Sequence, residues 1–395
     1  MNIDFTYFIP TNLLFGAGRL NELAKIPLPG KKALVVITSG KSMKANGYLD
    51  RVLNLLKQNN QTEAVVFDKI LPNPILAHVT EGAELARKEN CDFVLGLGGG
   101  SSIDSAKSIA LMVSNPGNYW DYISSGTGKG QAVPNKALPI VAIATTAGTG
   151  TEVDPWTVIT NEDTCEKIGF GNSDTFPVLS IVDPELMLTV PPKMTAFQGF
   201  DALFHAVEGY ISKSATVVSN LFALKSVELV AKYLPEAVAD GNNMEARTQV
   251  ALANTLAGFV ESTSSTTSQH SMEHALSAIK PDIPHGAGLI MLSESYFSFF
   301  ADKIPALMAD LARAMGENTE NKTIEEQGAL FVSALLKLQK LCGVDNLKMS
   351  DYGIQHNEIC DLAKNARDTM GKLFTRDRYT LSFDETVQIM QKAYR

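Results

Sequence analysis

Four of the six histidines of this 395-residue chain, His205, His270, His274 and His285, fall in one stretch of its second half. Asp201 precedes His205 by four residues, which on a helix puts both side chains on one face with β-carbons about 5–6 Å apart. His270 and His274 repeat that spacing. Pro281 and Pro284 then interrupt the helix, so that His285 can fold back over it, and Gly286 leaves space close to whatever is bound. Asp201, His205, His270 and His285 offer three neutral imidazoles and one carboxylate. That donor set suits Zn²⁺ or Fe²⁺ and is poor for Ca²⁺ or Mg²⁺, which prefer oxygen shells. An Asp and a His four apart are more often a capping or surface pair; it is the clustering that points to a metal. His78 and His356 stand alone and read as ordinary core or surface residues.

A second chemistry lies upstream, where Gly98-Gly99-Gly100-Ser101-Ser102 follows an apolar run and opens a helical pattern. Glycines there let the backbone approach a pyrophosphate, while the helix N-terminus favours negative charge. Ser101 and Ser102 can cap the helix or donate to phosphate. The motif is not GxGxxG, and no acidic residue ends the first strand to hold a ribose 2′-hydroxyl. That place reads Thr38-Ser39-Gly40-Lys41-Ser42-Met43-Lys44, which tolerates a 2′-phosphate and favours NADP(H) over NAD(H). A Thr/Gly-rich stretch, Thr145-Thr146-Ala147-Gly148-Thr149-Gly150, follows another apolar run and offers hydroxyls for nicotinamide and ribose.

The elements that must carry these residues differ between the two halves. Ala33–Thr38, Glu63–Phe67, Phe93–Leu97, Ile140–Ala144 and Leu179–Val182 are short apolar, β-branched runs. Leu49–Gln58 and Leu76–Lys88 between them have helical spacing, so residues 1–190 predict a parallel sheet covered by helices, a Rossmann-like α/β domain. After Pro191-Pro192 the pattern becomes helical to the end, giving an all-α domain over 191–395. Phe5–Phe15 is a possible extra strand, for either domain or for a second subunit. With 45% hydrophobic and 19% charged residues the chain is globular. A net charge of −9 without a basic stripe excludes nucleic acid and anionic membrane as partners. Four dispersed cysteines indicate neither disulfides nor a CxxC site. No apolar run spans a bilayer and Met1–Phe5 is not signal-like, so a cytoplasmic location is expected.

Taken together, Phe15-Gly16-Ala17-Gly18, Pro72-Asn73-Pro74, Gly98–Lys107, Thr145–Val153, Val182-Asp183-Pro184, Gly199–Glu208 and His270–Gly286 resemble, in order and nearly end to end, the iron-containing (group III) alcohol dehydrogenases. The resemblance implies the dehydroquinate synthase-like pairing of a dinucleotide-binding domain with a helical metal-binding domain. It also implies an active site between them and a homodimer or larger homo-oligomer. It places the metal, Fe²⁺ or Zn²⁺, on Asp201, His205, His270 and His285, and makes His274 a proton-relay or orienting group near the nicotinamide. Cofactor contacts carry over to Gly98, Gly99, Gly100, Ser101, Asp104, Thr145, Thr149 and Lys167, with Asn73 near the adenosine. Gly40 stands where NAD-preferring members carry an acidic residue.

The implied reaction is hydride transfer between NAD(P)(H) and a small alcohol or aldehyde. Two departures bear on its substrate. Glu261-Ser262-Thr263-Ser264-Ser265-Thr266-Thr267-Ser268-Gln269 replaces apolar and aromatic pocket positions, and Asp154-Pro155-Trp156 replaces small polar ones. Both suggest a diol or hydroxyaldehyde, because hydroxyls left unpaired by an alkyl ligand would each cost about 1–3 kcal/mol. The segment from His274 to His285 is one residue longer than usual. Rival readings are a zinc enzyme of the glycerol-dehydrogenase and dehydroquinate-synthase group, which uses fewer protein ligands, and a non-catalytic nucleotide- or metal-binding protein.

Overall fold

A computed structural model describes residues 3–395; Met1 and Asn2, the first residues of the Met1–Phe5 stretch considered above, lie outside the described residues. Six parallel strands form the main sheet: β1 (Asn12–Phe15), β2 (Lys32–Thr38), β3 (Glu63–Ile70), β4 (Phe93–Gly98), β5 (Ile140–Ala144) and, after an antiparallel hairpin of β6 (Thr157–Asn161) and β7 (Glu166–Phe170), β8 (Leu179–Val182). Their order is β1-β8-β5-β4-β2-β3. Every residue of β4 and β5 is buried, as expected of parallel strands covered on both faces. Val35, Ile37, Leu95, Leu97, Val141, Ile143 and Ile181 join one core with Val52 and Leu56. The covering helices are α1 (Ser42–Ala45), α2 (Tyr48–Gln58), α3 (Leu76–Lys88) and α4 (Gly100–Ser114).

Chain contacts divide the protein into two compact units. One comprises Ile9–Thr146 and Thr151–Thr189; the other comprises the segment up to Phe8, the four residues Ala147–Gly150, and Val190–Arg395. Of the segment Phe5–Phe15 only Asn12–Phe15 is a strand, and it pairs with β8 inside the first unit. The β6–β7 hairpin was not legible in the sequence, because its strands are five residues each and mix Thr, Asn, Glu and Lys with the apolar positions.

Helices build the second unit: α5 (Pro192–Ile211), α6 (Val217–Ala239), α7 (Met244–Thr263), α8 (Ser268–Ile279), α9 (His285–Lys303), α10 (Pro305–Ala314), α11 (Ile324–Leu341), α12 (Ile359–Phe374) and α13 (Phe383–Ala393). Among its described residues there is no strand. The α8–α9 break falls at Lys280–Pro284, and Pro284 caps α9 so that His285 is its first residue. Glycines set two helix contacts here: a methyl on Gly199 would enter the Leu234 side chain, and one on Gly209 would enter Val260.

Candidate metal centre and nucleotide loops

Helix α5 presents Asp201, His205 and Glu208 at positions i, i+4 and i+7, one face of two turns. Helix α8 brings His270, Glu273 and His274, and the first turn of α9 brings His285. These elements converge inside the helical unit. One donor atom from each of Asp201, His205, His270 and His285 lies within 4.8 Å of the other three. Asp201 Oδ1 is 3.7 Å from His205 Nδ1, 3.9 Å from His270 Nε2 and 3.5 Å from His285 Nε2. Four ligands at about 2.1 Å around a tetrahedral ion would be about 3.4 Å apart. The set therefore fits a first-row divalent ion with shifts of a few tenths of an ångström. Only His285, at 22% side-chain exposure, reaches appreciably toward solvent.

Two further carboxylates hold the histidines. Glu208 Oε1 takes His270 Nδ1 at 2.6 Å, and its Oε2 accepts from the Thr267 amide at 2.7 Å and hydroxyl at 2.9 Å. Glu273 takes His285 Nδ1 in a short contact. A carboxylate on Nδ1 leaves Nε2 as the lone-pair donor, the usual support for a metal-bound histidine. Both were missed in the sequence reading, although Glu208 lies three residues after His205 and Glu273 three after His270. Room for Glu273 comes from Gly288, where a Cβ would sit 2.7 Å from Glu273 Cγ. Gly286 does not make space for a ligand as expected; a Cβ there would strike the carbonyl of Phe197 on α5.

Behind Glu208 the polar chain continues inward. Thr267 Oγ1 meets Tyr296 Oη at 3.0 Å, and Tyr296 donates to Asp377 Oδ1, which also accepts from the Ser268 amide. Burial raises Glu208 to about 8 against the Thr267 hydrogen bonds, and raises Asp377 to about 7. Burial disfavours charge on His205 too, but Glu261 and Asp201 outweigh it and push its pKa up to about 10. The carboxylates thus create a field that favours a cation at this place. His205 has Gly148 O at 3.2 Å from Nδ1, and Glu261 Oε1 at 2.9 Å from Nε2. His274 packs near the set, 5.4 Å from the His285 ring and 6.4 Å from that of His270, with Nδ1 on the Met370 sulfur.

The polar segment before His270 differs from its expectation. Most of its side chains are spent within the protein: Thr263 and Ser264 on the carbonyls of Phe259 and Gly209, Thr267 on Glu208, and Gln269 on the carbonyl of Leu289. They close the helical unit rather than line a polar pocket. Asp154 is likewise structural: with Thr151, its carboxylate and carbonyl and the Trp156 carbonyl receive the buried Lys107 ammonium, at 2.6–3.1 Å.

In the α/β unit the glycine loop sits at the carboxyl end of β4, where Gly99 caps α4. Gly98 has φ +147°, open to glycine but rarely to other residues, and a Cβ there would also meet Ser102 Oγ at 2.5 Å. A Cβ on Gly99 would meet Thr146 Oγ1 at 2.7 Å, and the Thr145 amide donates to the Gly98 carbonyl, so the two loops pack backbone to backbone. Neither Ser101 nor Ser102 caps α4; Ser101 donates instead to the Pro72 carbonyl, which joins the loop to the Pro72-Asn73-Pro74 turn. Lys167 donates to Asn73 Oδ1 at 3.2 Å, bringing those two sites together. Asp104 accepts from Thr151 Oγ1 and the Val158 amide, which makes it an anchor of the β6 loop. Thr149 belongs to the short stretch that packs with the helical unit. Gly40 and Ser42 follow β2, with Lys44 paired to Asp68 at 2.5 Å.

Residues 10–184 match the iron-containing alcohol dehydrogenase family, and residues 195–394 match its C-terminal domain. The chain is 35% identical over 365 residues to a 1,3-propanediol dehydrogenase of Citrobacter freundii, 92% of each protein. It is 35% identical over 363 residues to a choline dehydrogenase of Bacillus subtilis, 91% of this chain and 88% of that one. An archaeal halo-thermophilic alcohol dehydrogenase from a Red Sea brine pool superposes with TM-score 0.94 at 31% identity, over 100% of both chains. With its paired domains and its donor cluster, the chain belongs to the iron-containing alcohol dehydrogenase family and is an oxidoreductase of the alcohol dehydrogenase type.

Proposed function

We propose that this enzyme exchanges hydride between NADP(H) and a small polar alcohol or aldehyde, such as a diol or hydroxyaldehyde, with a divalent ion held by Asp201, His205, His270 and His285. The observation that carries the reading is the convergence of those four donors, with two of the histidines backed by carboxylates. Fe²⁺ or Zn²⁺ bound there supplies Lewis acidity at an alcohol or carbonyl oxygen. Asp201 contributes the negative charge among the donors, while Glu208 and Glu273 fix the His270 and His285 rings. His274 is the proposed proton-relay or orienting residue, since it packs beside His285 without belonging to the four.

For the cofactor, Gly98, Gly99, Gly100 and Ser101 are assigned the pyrophosphate, Thr145, Thr146 and Thr149 the nicotinamide side, and Asn73 with Lys167 the adenosine side. Asp104 is assigned to shaping that loop. Lys44 spends its charge on Asp68, so the preference for NADP(H) rests on Gly40 and Ser42, which offer no carboxylate, and on exposed Lys41. The names of the relatives, one acting on a diol and one on choline, support a polar substrate; the buried hydroxyls near His270 do not. A cytoplasmic homodimer or larger homo-oligomer completes the proposal. Among the described residues no helix is long and apolar enough to cross a membrane.

Chelation should abolish turnover and added Fe²⁺ or Zn²⁺ restore it, and His270→Ala should lose both metal and activity. Full turnover after chelation refutes the proposal. An aldehyde panel with both cofactors tests the rest: better kcat/KM with butanal than with glycolaldehyde rejects the polar substrate, and a strong NADH preference rejects NADP(H). Net consumption of reduced cofactor with an aldehyde separates this enzyme from a lyase of the same fold.

A further inference from the structure

Behind His270 four side-chain oxygens follow one another into the core. Glu208 Oε2 meets the Thr267 hydroxyl at 2.9 Å, that hydroxyl meets the Tyr296 hydroxyl at 3.0 Å, and the Tyr296 hydroxyl meets Asp377 Oδ1 at 3.1 Å. The chain draws on α5, the residue before α8, α9 and the connection between α12 and α13. All four residues are buried. Each of the three contacts needs one proton, and the two hydroxyls carry one each. Ser268 makes up no deficit, since its hydroxyl proton serves its own 3.2 Å contact with Tyr296 Oη. With both carboxyls ionised, Thr267 donates to Glu208 and Tyr296 to Asp377, and the contact between the two hydroxyls sets lone pair against lone pair. A third proton completes the chain, and the groups that can hold it are the two carboxyls.

Its place follows from what each carboxyl meets. The oxygens of Glu208 face the Thr267 amide and hydroxyl and His270 Nδ1, donors that support an anion. Asp377 Oδ1 meets the Ser268 amide and Tyr296. Its Oδ2 is buried and has no hydrogen-bond partner among the described residues. An oxygen left bare inside the protein costs far less on a neutral acid than on an anion. Burial raises both carboxyls, and the negative charge of Glu208 on α5 further disfavours ionisation of Asp377. Glu208 is the nearer of the two to the metal position, where positive charge favours its ionised form.

We propose that Asp377 holds the third proton and is a positioning residue of the metal centre, which it reaches through Tyr296 and Thr267. The proposal rests on reading Asp201, His205, His270 and His285 as that centre. The Asp377 carboxyl then donates to Tyr296, Tyr296 to Thr267, and Thr267 to Glu208. Glu208 stays charged against His270 Nδ1, which keeps the Nε2 lone pair on the side of Asp201.

Infrared difference spectroscopy on the Zn²⁺-loaded protein, just below the pH of about 7 to which Asp377 is raised, tests where the proton sits. A protonated carboxyl has a C=O stretch that a carboxylate lacks. That band should vanish in Asp377→Asn and persist, shifted, in Glu208→Gln. The reverse pattern puts the proton on Glu208, and a native spectrum without the band leaves both groups ionised; either overturns the proposal. Positioning is read by chelator competition. Asp377→Asn supplies an acceptor for Tyr296 but no third proton, and Tyr296→Phe cuts the chain with Asp377 in place. Each should weaken Zn²⁺ binding roughly three- to tenfold, with circular dichroism checking the fold. Where Asp377→Asn does not fold, Tyr296→Phe carries the test, and its acid band should remain but move, because Asp377 has lost its acceptor. Native affinity in the folded variants overturns the positioning role. The parent reading fails differently: His270→Ala would then bind Zn²⁺ as tightly as native protein while the Asp377 band stayed in place.

Discussion

Glu208 touches His270 but no member of the donor set beyond it, which makes it the cleanest place to separate support from ligation. In Glu208→Gln one carboxylate oxygen becomes an amide N–H₂, while the groups facing the side chain, among them His270 Nδ1 and the Thr267 amide and hydroxyl, remain. The amide oxygen can face either His270 or Thr267, but not both. If it faces Thr267, the amide N–H₂ meets His270 Nδ1 and drives the proton to Nε2, removing the lone pair from the metal side. If it faces His270, the two Thr267 donors lose their acceptor, at about 1–3 kcal/mol each. The first outcome weakens metal binding by roughly 10–100-fold, or about 1.4–2.7 kcal/mol. The second lowers stability by a few kcal/mol and spares the metal. Chelator competition and thermal melting, each with and without Zn²⁺, read both quantities. Glu208→Gln with native affinity and native melting temperature would refute the assignment of Glu208 as the group that orients His270.

Gly288→Ala adds a methyl 2.7 Å from Glu273 Cγ and 2.9 Å from its Oε1; it should push Glu273 off His285 and weaken metal binding severalfold, and unaltered chelator competition would contradict this. Lys107→Met leaves Asp154 buried without its cation, which costs about 3–5 kcal/mol and lowers the melting temperature by roughly 6–20 °C; a fall under 2 °C is the opposing result. Asp377 is raised from 3.8 to about 7 by burial. Its contribution to stability is therefore fully present below about pH 4 and is lost as pH rises through 7. Melting curves at pH 5 and pH 8 should show that loss, on the order of 3 kcal/mol, in native protein but not in Asp377→Asn, whose Oδ1 still accepts from Ser268 and Tyr296; equal pH slopes would reject it.

The sheet and the donor set were legible because each leaves a strong local signature. Runs such as Ile140–Ala144 and Leu179–Val182 coincide with strands end to end, since a parallel strand buried on both faces must be apolar throughout. Asp201 with His205, and His270 with His274, announce themselves through helical spacing combined with residue types that are rare together. What stayed hidden depends on contacts across the chain. Glu166 and Lys167 look like a solvated hairpin, yet both are buried. Thr263–Gln269 looked like an exposed polar lining, because composition reports polar side chains and not the acceptors that receive them, some within a turn (Phe259) and others far along the chain (Gly209, Glu208, Leu289).

The legible residues and the hidden ones differ for one physical reason. Donor chemistry is fixed by what a divalent ion accepts, so the cluster of Asp201, His205, His270 and His285 draws on few residue types and can be read in order along the chain. Support is fixed only by the requirement that the other ring nitrogen meet an acceptor, which Glu208 meets at His270 Nδ1, Glu273 at His285 Nδ1 and Glu261 at His205 Nε2. Several solutions satisfy that requirement, so no single pattern marks them in sequence. At His205 the carboxylate is Glu261, 2.9 Å from Nε2, while Nδ1 is the nitrogen 3.7 Å from Asp201. An acidic residue at the end of α7 is then a consequence of how His205 is held, rather than a sign of pocket polarity.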